Sequence, residues 1–122
     1  MSRKRILIAD DEEAIRMIIR MALGEDLYAI SEAADGEEAW QKVITADPAF
    51  DLMILDLNMP RLGGKELLQR LLARDPGARV ILLSGAPQAI DRSHALVRIM
   101  NKPFDNSVLA ATVADLLAKP QC

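Results

Sequence analysis

The stretch DLMILDLNMP, residues 51–60, runs four apolar residues straight into the carboxylate of Asp56 and then stops at Pro60. An uninterrupted apolar run of this length is typical of a strand that is buried on both faces of a sheet. A charged group beside a hydrophobic core is costly unless another group pairs with it. If this segment is a buried strand, Asp56 at its end must have partners that balance its charge.

Four other segments have the character of short strands, and amphipathic helical patterns separate them. The strands are predicted at residues 5–9, 27–33, 51–56, 78–84 and 97–103. Four of the helices are predicted from clear patterns. The first follows the first strand and ends at Gly24, and the second begins at an N-cap at Asp35, with Glu38 three residues later. The third covers residues 65–75, and the last runs from Asp105 or Asn106 to Pro120.

Strands that alternate with helices predict a parallel sheet covered on both faces, because each parallel connection crosses over the sheet. Right-handed crossovers leave few topologies, and we predict the flavodoxin-like, doubly wound α/β fold with strand order 2-1-3-4-5. The stretch between Ser84 and Lys102 is short and contains Pro87, so the fourth helix is predicted to be short or irregular. With 122 residues and neither linker nor repeat, the sequence predicts one domain over residues 1–122.

Composition and charge argue against several classes of function. The net charge is −3, which disfavours a nucleic-acid-binding surface. Cys122 is the single cysteine, so neither an intramolecular disulfide nor a cysteine-based metal site is possible. No apolar run is long enough for a membrane span, and acids interrupt the first apolar run too early for a signal peptide. We expect a soluble cytoplasmic protein that binds neither nucleic acid nor membranes.

Polar residues stand at the ends of four of the predicted strands. Asp10 and Asp11 follow the first strand, Asp56 ends the third, Ser84 ends the fourth, and Lys102 lies at the end of the fifth. The carboxyl ends of parallel strands meet at one edge of the sheet, and strands 1 and 3 are neighbours in the order 2-1-3-4-5. The topology therefore predicts that three carboxylates, a hydroxyl and an ammonium converge in one crevice.

Three carboxylates need compensation to share a crevice. Two of them about 4 Å apart repel by about 4 kcal/mol at an effective dielectric constant near 20. Either one acid is protonated, or cations lie among the acids; Lys102 supplies one positive charge, and a hard divalent ion would supply the rest. Mg²⁺ suits carboxylates, a backbone carbonyl and water, and the cluster offers no His or Cys ligand of the kind that favours zinc.

Such a site fits phosphoryl transfer to a carboxylate. A carboxylate acts as a nucleophile by forming an acyl phosphate, while Mg²⁺ and an ammonium neutralise charge on the transferred group. Asp56, alone in the middle of the sheet, is the best candidate for the nucleophile, and Asp10 and Asp11 are the candidates for holding the metal. The acidic pair would also favour the start of the first helix; its combination with Asp56 favours the metal site.

The motifs follow one another along the chain in a recognisable order: Asp10–Asp11, DLNMP at residues 56–60 with Gly64 beyond it, Ser84, and Lys102–Pro103. In this order, and over essentially the whole chain, they resemble the receiver domain of two-component response regulators. The resemblance implies a phosphorylation switch, which is not an enzyme acting on external substrates. It implies that a histidine kinase or histidine phosphotransfer protein donates the phosphoryl group. As a departure from the usual architecture of the family, no output domain is expected after the last helix, so the switch is expected to stand alone.

The resemblance also implies a role for each residue of the site. Asp56 would be the phosphoacceptor, and Mg²⁺ would contact Asp11, Asp56 and the backbone carbonyl of Asn58 directly and Asp10 mainly through water. Ser84 and Lys102 would hold the phosphoryl oxygens, and the Lys102–Pro103 peptide bond is expected to be cis. A downstream protein is expected to bind the face formed by the fourth helix, the fifth strand and the fifth helix.

The sequence departs from the family pattern in its readout region and leaves two rival functions open. Family members usually carry an aromatic residue three positions before the lysine, and Ile99 stands there. This departure and the short fourth helix motivate a phosphate-independent protein-interaction module of the same fold. The other rival is an aspartate-nucleophile phosphohydrolase, which typically needs a second acid where this chain has Asn58.

Two smaller expectations concern packing and backbone. The adjacent glycines Gly63 and Gly64 are expected to allow positive φ or to start a helix. The methionines are expected to fill the core; they are Met17, Met21, Met53 and Met100.

Overall fold

The computed structural model describes residues 3–85 and 96–120. The elements are β1 (Lys4–Ala9), α1 (Glu13–Leu23), β2 (Tyr28–Ala33), α2 (Gly36–Thr45), β3 (Leu52–Asp56), α3 (Gly64–Arg74), β4 (Val80–Ser84), β5 (Val97–Asn101) and α4 (Asn106–Ala118). The predicted fourth helix falls within the gap between the described residues. The last helix, which was the fifth in the sequence prediction, is therefore α4 here.

The strands form one parallel sheet in the order β2-β1-β3-β4-β5, which confirms the predicted topology. The apolar strand β3 lies at the centre of this order, and each of its residues is buried. Helices cover both faces of the sheet, so β3 needs no alternation of polar and apolar residues.

The sheet separates two hydrophobic cores. Met53 and Leu55 of β3 face the core beneath α2 and α3, whereas Leu52 and Ile54 face the core beneath α1 and α4. Successive strand residues point to opposite faces, so β3 contributes to both cores at once. Packing on both faces of the sheet therefore fixes the position of β3, and with it the position of Asp56 at the end of the strand.

Local signals set the ends of the helices. The Asp35 carboxylate accepts a hydrogen bond from the Glu38 N–H at 2.8 Å and caps α2 as predicted. The Asp105 carboxylate accepts one from the Val108 N–H at 3.1 Å, so Asp105 is the N-cap of α4. Gly24 follows α1 with a φ of 89°. None of the helices in the described part of the chain is long and apolar enough to cross a membrane.

The expectation that four methionines fill the core is wrong for two of them. Met17 and Met21 are 55% and 76% exposed, whereas Met53 is buried and Met100 is partly buried. The reason is the orientation of α1: Met17 and Met21 each lie two positions before a buried residue, and two positions correspond to about 200° around a helix. Met17 and Met21 therefore point away from the sheet that Ile19 and Leu23 face.

The glycines before α3 start the helix without using positive φ. Gly63 is the N-cap of α3 with a φ of −72°. A positive φ of 68° is found earlier in the same loop, at Arg61. The second expectation for these glycines, a helix start, is confirmed, and the first is wrong.

The loop between β3 and α3 rests on the first turn of α2 through backbone atoms. A Cβ built on Gly36 would lie 1.8 Å from the Leu62 carbonyl oxygen, so only glycine permits this approach. The Leu62 side chain is buried in the core beneath α2 and α3. The loop that carries Asn58 is thus seated on a helix from another part of the chain.

Candidate functional site

The first and third strands bring two of the predicted acids side by side. Ala9 on β1 pairs with Leu55 on β3, so the next residues, Asp10 and Asp56, leave neighbouring strands at the same level. Asp10 is 0% exposed and Asp56 is 4% exposed. Asp11 is exposed, and one carboxylate oxygen from each acid lies within 4.8 Å of the others. The structure thus gathers the three acids that the sequence predicted to converge.

Lys102 joins this cluster from the end of β5. Its ammonium lies 3.0 Å from Asp10 Oδ2 and 3.2 Å from Asp56 Oδ2. The Lys102 backbone N–H donates to the Ser84 carbonyl at 2.8 Å, which ties the ends of β4 and β5 together. The Lys102–Pro103 bond is cis, as expected. One positive charge therefore lies between two buried acids.

The environment raises the pKa values of both Asp56 and Lys102. Burial is the main cause of the raised pKa of Asp56, and the charge of Asp10 adds to it; the Asn58 N–H and Lys102 offset part of the effect. For Lys102, partial burial lowers the pKa, but the hydrogen bonds and charges of Asp10 and Asp56 together outweigh it and raise the pKa. The ammonium therefore stays charged near neutral pH.

Asp10 is held by its backbone and by its side chain. Its N–H donates to the Ala33 carbonyl at 3.1 Å, and its Oδ1 accepts from the Glu12 N–H at 2.8 Å. With Lys102 on Oδ2, both carboxylate oxygens of Asp10 are occupied. Its bond to Glu12, the residue before α1, also shows that the acidic pair lies at the helix start as well as at the site. The position at the helix start is observed, whereas the metal-binding role of the pair stays a prediction.

The segment after Asp56 turns sharply because Gly64 leaves room for it. A Cβ on Gly64 would lie 2.4 Å from the Asp56 carbonyl oxygen and 2.7 Å from the Leu57 Cα. The Gly64 N–H donates to the Leu57 carbonyl at 3.0 Å, and the Leu57 N–H donates to the Leu83 carbonyl at 2.9 Å. The start of α3 is thus packed directly against the backbone that presents Asp56.

Ser84 and Asn58 occupy the places that the sequence predicted for them. Ser84 is the last residue of β4 and is buried. Asn58 is exposed, and its N–H donates to Asp56 Oδ1 at 3.2 Å. Asp56 is therefore held by Asn58 on one oxygen and by Lys102 on the other.

The donor set fits Mg²⁺. The three acids supply carboxylate oxygen, which is the ligand that Mg²⁺ takes in proteins at about 2.1 Å. Oxygens within 4.8 Å of one another come within reach of one such ion after small side-chain rotations. Asp10, Asp11 and Asp56 are therefore the acids that could hold such an ion.

Arg16, which belongs to none of the motifs in the sequence, contacts the backbone of this site. Arg16 of α1 donates from Nη1 to the Asp10 carbonyl at 2.5 Å and from Nε to Glu32 Oε1 at 2.8 Å. A signal was present in the sequence: Glu32 is a lone acid in a predicted strand, and Arg16 and Arg20 lie one turn apart on a predicted helix. What was not readable was that these groups face each other.

Comparison with known proteins agrees with this geometry. The sequence model of the response regulator receiver domain matches residues 6–114. Transcriptional regulatory protein TrcR of Mycobacterium tuberculosis is 31% identical over 119 residues, which are 94% of this chain and 46% of TrcR. Sporulation initiation phosphotransferase F of Bacillus subtilis is 33% identical over 109 residues, 86% of each chain. The chain spans about half the length of the first curated relatives that it matches.

Solved structures show the same fold. The crystal structure of a CheY-like response regulator receiver domain protein from Methanospirillum hungatei has a TM-score of 0.82 and 28% identity, and the match covers 95% of this chain and 94% of that one. Strand order, the convergence of acids and lysine at the strand ends, and the matched range all point to the same conclusion. The chain belongs to the family of response regulator receiver domains.

Proposed function

We propose that this receiver domain is a phosphorylation switch in which Asp56 accepts a phosphoryl group from the phosphohistidine of a histidine kinase or histidine phosphotransfer protein. The observation that carries the proposal is the buried Asp56 carboxylate, which lies in a cluster with two further carboxylates and 3.2 Å from the ammonium of Lys102. A core charge kept in this way is costly to the fold and is typical of a functional site.

In the transfer, an Asp56 oxygen attacks phosphorus, the bond from phosphorus to the donor's imidazole nitrogen breaks, and an acyl phosphate forms. Asp11 and Asp56 would hold Mg²⁺, whose positive charge would help to neutralise the phosphoryl group during transfer. Lys102 turns its ammonium from Asp56 to the new phosphoryl group, and Ser84 donates its hydroxyl to another phosphoryl oxygen. The two residues lie at the ends of neighbouring strands, and the Lys102 N–H donates to the Ser84 carbonyl at 2.8 Å.

We assign the metal contacts as the family resemblance implies, with Asp10 acting mainly through water. Both carboxylate oxygens of Asp10 and both of Asp56 are engaged within the protein, so the difference between these two acids rests on the resemblance. Asp11 is exposed, and no hydrogen bond or ion pair of its carboxylate is seen among the described residues, so it is free to bind the ion directly. Asp56 and the Asn58 carbonyl complete the set.

The test is chemical phosphorylation. Mg²⁺ with acetyl phosphate should add one phosphoryl group to the protein, as measured by intact-protein mass spectrometry, and removal of Mg²⁺ with a chelator should prevent it. Asp56→Asn should abolish the added mass. Asp26→Asn, at an exposed acid outside the site, should keep it. A label that persists in Asp56→Asn would show that another residue is the phosphoacceptor.

The downstream partner is proposed to bind at β5 and α4. The first four residues of β5 are half-buried and Asn101 is exposed, so this strand offers surface next to the phosphoryl site. Ile99, in the place of the usual aromatic residue, packs partly against the core beneath α2 and α3. Phosphorylation is expected to alter this surface through Ser84, which pairs with Asn101 at the end of β5, and through Lys102, which directly follows β5.

Ile99 also keeps the phosphate-independent interaction module as the second candidate. The two are separated by adding beryllofluoride, a phosphoryl mimic, with Mg²⁺ and recording two-dimensional NMR spectra. A switch should show shifts at β5 and α4 as well as at the site. Shifts confined to the residues around Asp56 would favour the module instead.

A further inference from the structure

Arg16 reaches from α1 to the peptide that joins the two acids after β1. Its Nη1 donates to the Asp10 carbonyl at 2.5 Å. Its Nε donates to Glu32 Oε1 at 2.8 Å, and the side chain is only 14% exposed. The planar guanidinium therefore bridges two acceptors in a fixed geometry, which the single ammonium of a lysine does not reproduce.

The peptide that Arg16 holds controls the direction of Asp11. The Asp10 carbonyl and the Asp11 N–H belong to one planar unit, so fixing the carbonyl fixes the plane from which Asp11 leaves the strand. Asp10 itself is held independently by Ala33, Glu12 and Lys102. Asp11 has no such hold in the described part of the chain, and its orientation depends on this peptide.

Glu32 keeps Arg16 in place. The register of β1 and β2 pairs Ile8 with Glu32, which puts this acid close to the end of β1 and beneath α1. Its other oxygen, Oε2, accepts from Arg20 Nη1 at 2.7 Å. Since the positive charge of Arg16 is balanced by Glu32, its contribution to the site is mainly one of geometry.

We propose that Arg16 is a positioning residue for the Mg²⁺ site: by holding the Asp10 carbonyl it orients the Asp10–Asp11 peptide and so aims the Asp11 carboxylate at the cluster with Asp56. This inference rests on the proposed function, because it concerns the metal on which that function depends. It adds a residue outside the set of acids, hydroxyl and lysine that the strand ends provide.

The main experiment measures Mg²⁺ affinity of the unphosphorylated protein by calorimetric or NMR titration. Arg16→Gln should weaken the affinity by about tenfold or more, the usual effect of losing a residue that orients a metal ligand. Arg16→Lys keeps the charge but not the two-acceptor geometry, so its affinity should fall almost as far. Arg79→Gln is the control, because Arg79 binds carbonyls at the C-terminal end of α4 and has no contact with the acids.

A second readout separates positioning from a general loss of structure. If Arg16 acts through the metal, the rate of phosphorylation by acetyl phosphate in Arg16→Gln should approach the wild-type rate at saturating Mg²⁺. The Mg²⁺ concentration for half-maximal rate should rise by the same factor as the dissociation constant. A variant that is merely damaged would lose maximal rate at every Mg²⁺ concentration, and that result would overturn the proposal.

The remaining outcomes are also decisive. Unchanged Mg²⁺ affinity in a folded Arg16→Gln, wild-type affinity in Arg16→Lys, or an equal loss in Arg79→Gln would each overturn the proposal. If Arg16→Gln does not fold, as judged by circular dichroism, Glu32→Gln takes its place and should weaken Mg²⁺ binding several-fold. Wild-type protein that neither binds Mg²⁺ nor accepts a phosphoryl group would instead overturn the proposed function, and with it this inference.

Discussion

At the residue scale, Asp56 is a carboxylate kept where the protein makes its ionised form costly. It is 4% exposed, and burial together with the nearby charge of Asp10 raises its pKa. Lys102 and the Asn58 N–H offset part of this cost without cancelling it. Without metal, the site therefore lowers the stability of the fold, as is common where function requires a destabilising group.

Asp56→Asn is expected to stabilise the metal-free protein at neutral pH by about 1 kcal/mol. A raised folded-state pKa means that the folded protein binds the proton more tightly than the unfolded chain does. The stability that this group contributes is present below its unfolded pKa of about 3.9 and is lost as the pH rises through the folded value. The advantage of Asp56→Asn should therefore be absent at about pH 3.5 and should grow as the pH rises towards neutrality.

Urea denaturation with a chelator present, across this pH range, measures the difference. Mg²⁺ should stabilise the wild type more than Asp56→Asn, because it binds the folded site and needs the carboxylate. A difference in unfolding free energy that does not vary with pH would contradict this account of Asp56.

At the element scale, the start of α3 is packed against the backbone of Asp56, and adjacent glycines differ in what they tolerate. Gly64→Ala places a methyl group 2.4 Å from the Asp56 carbonyl oxygen and should cost about 2–3 kcal/mol. It should also weaken Mg²⁺ binding, because the backbone of Asp56 and Leu57 must shift. Chemical denaturation and Mg²⁺ titration measure the two effects.

Gly63→Ala is the matched control for this substitution. Its added methyl group would lie 3.7 Å from the nearest atom, the Leu57 carbonyl oxygen, and its φ of −72° suits any residue. The expected cost is below about 1 kcal/mol, that of replacing a glycine N-cap by alanine. Equal losses in Gly63→Ala and Gly64→Ala would show that the close approach to Asp56 is not the cause.

The end of α4 depends on a side chain from another element. The last turn of α4 contains no basic residue. Arg79, just before β4, donates to the Leu116 carbonyl at 2.8 Å and to the Lys119 carbonyl at 2.5 Å. It supplies both the hydrogen bonds and the positive charge that a helix C-terminus favours.

Arg79→Gln should lower the unfolding free energy by about 1–2 kcal/mol, because it loses two charge-assisted hydrogen bonds. Hydrogen exchange should quicken mainly in the last turn of α4. Arg74→Gln, at an exposed arginine in the last turn of α3, should stay within about 0.5 kcal/mol of the wild type. A uniform change in exchange across the whole sheet would contradict a local capping role for Arg79.

At the scale of the whole molecule, exposure decides what a methionine contributes. Met53→Ala should cost about 2–3 kcal/mol, since it removes a side chain buried against α2 and α3. Met21→Ala makes the same chemical change on a side chain that is 76% exposed, and it should change stability by less than about 0.5 kcal/mol. Thermal or urea denaturation of both variants measures this, and similar losses would contradict the orientation described for α1.

Most of the fold and the acids of the site could be predicted from the sequence, because strands and helices leave local patterns and few sheet topologies are compatible with them. Buried runs ending in Asp10, Asp56 and Ser84, placed on parallel strands, leave few ways for those residues to be apart. The helical spacing of α1 places Met17 outside the apolar stripe of Ile15, Ile19 and Leu23, and this spacing decides its exposure more than its hydrophobicity does.

Other features were beyond local signals. The contact of Arg16 with Glu32 and Asp10 depends on how α1 lies over β2, and no spacing in the sequence fixes that angle. The contact of Leu62 with Gly36 joins the β3–α3 loop to the start of α2, a separate part of the chain. The chemical roles of Ser84, Lys102 and the metal ligands stay predictions, and so does the short fourth helix, which falls outside the described residues.

The seat of the β3–α3 loop on α2 bears on how this region tolerates change. Leu62 meets Gly36 through its carbonyl oxygen, an atom that every amino acid carries. In a saturation library, the exposed position Pro60 should accept many replacements, because the contact of Leu62 with Gly36 does not depend on its side chain. Position 61 has a φ of 68°, so it should favour glycine, asparagine and aspartate and disfavour β-branched residues. Position 36 should accept glycine alone, so the conformation of the β3–α3 loop depends on a residue of α2 that lies outside the loop.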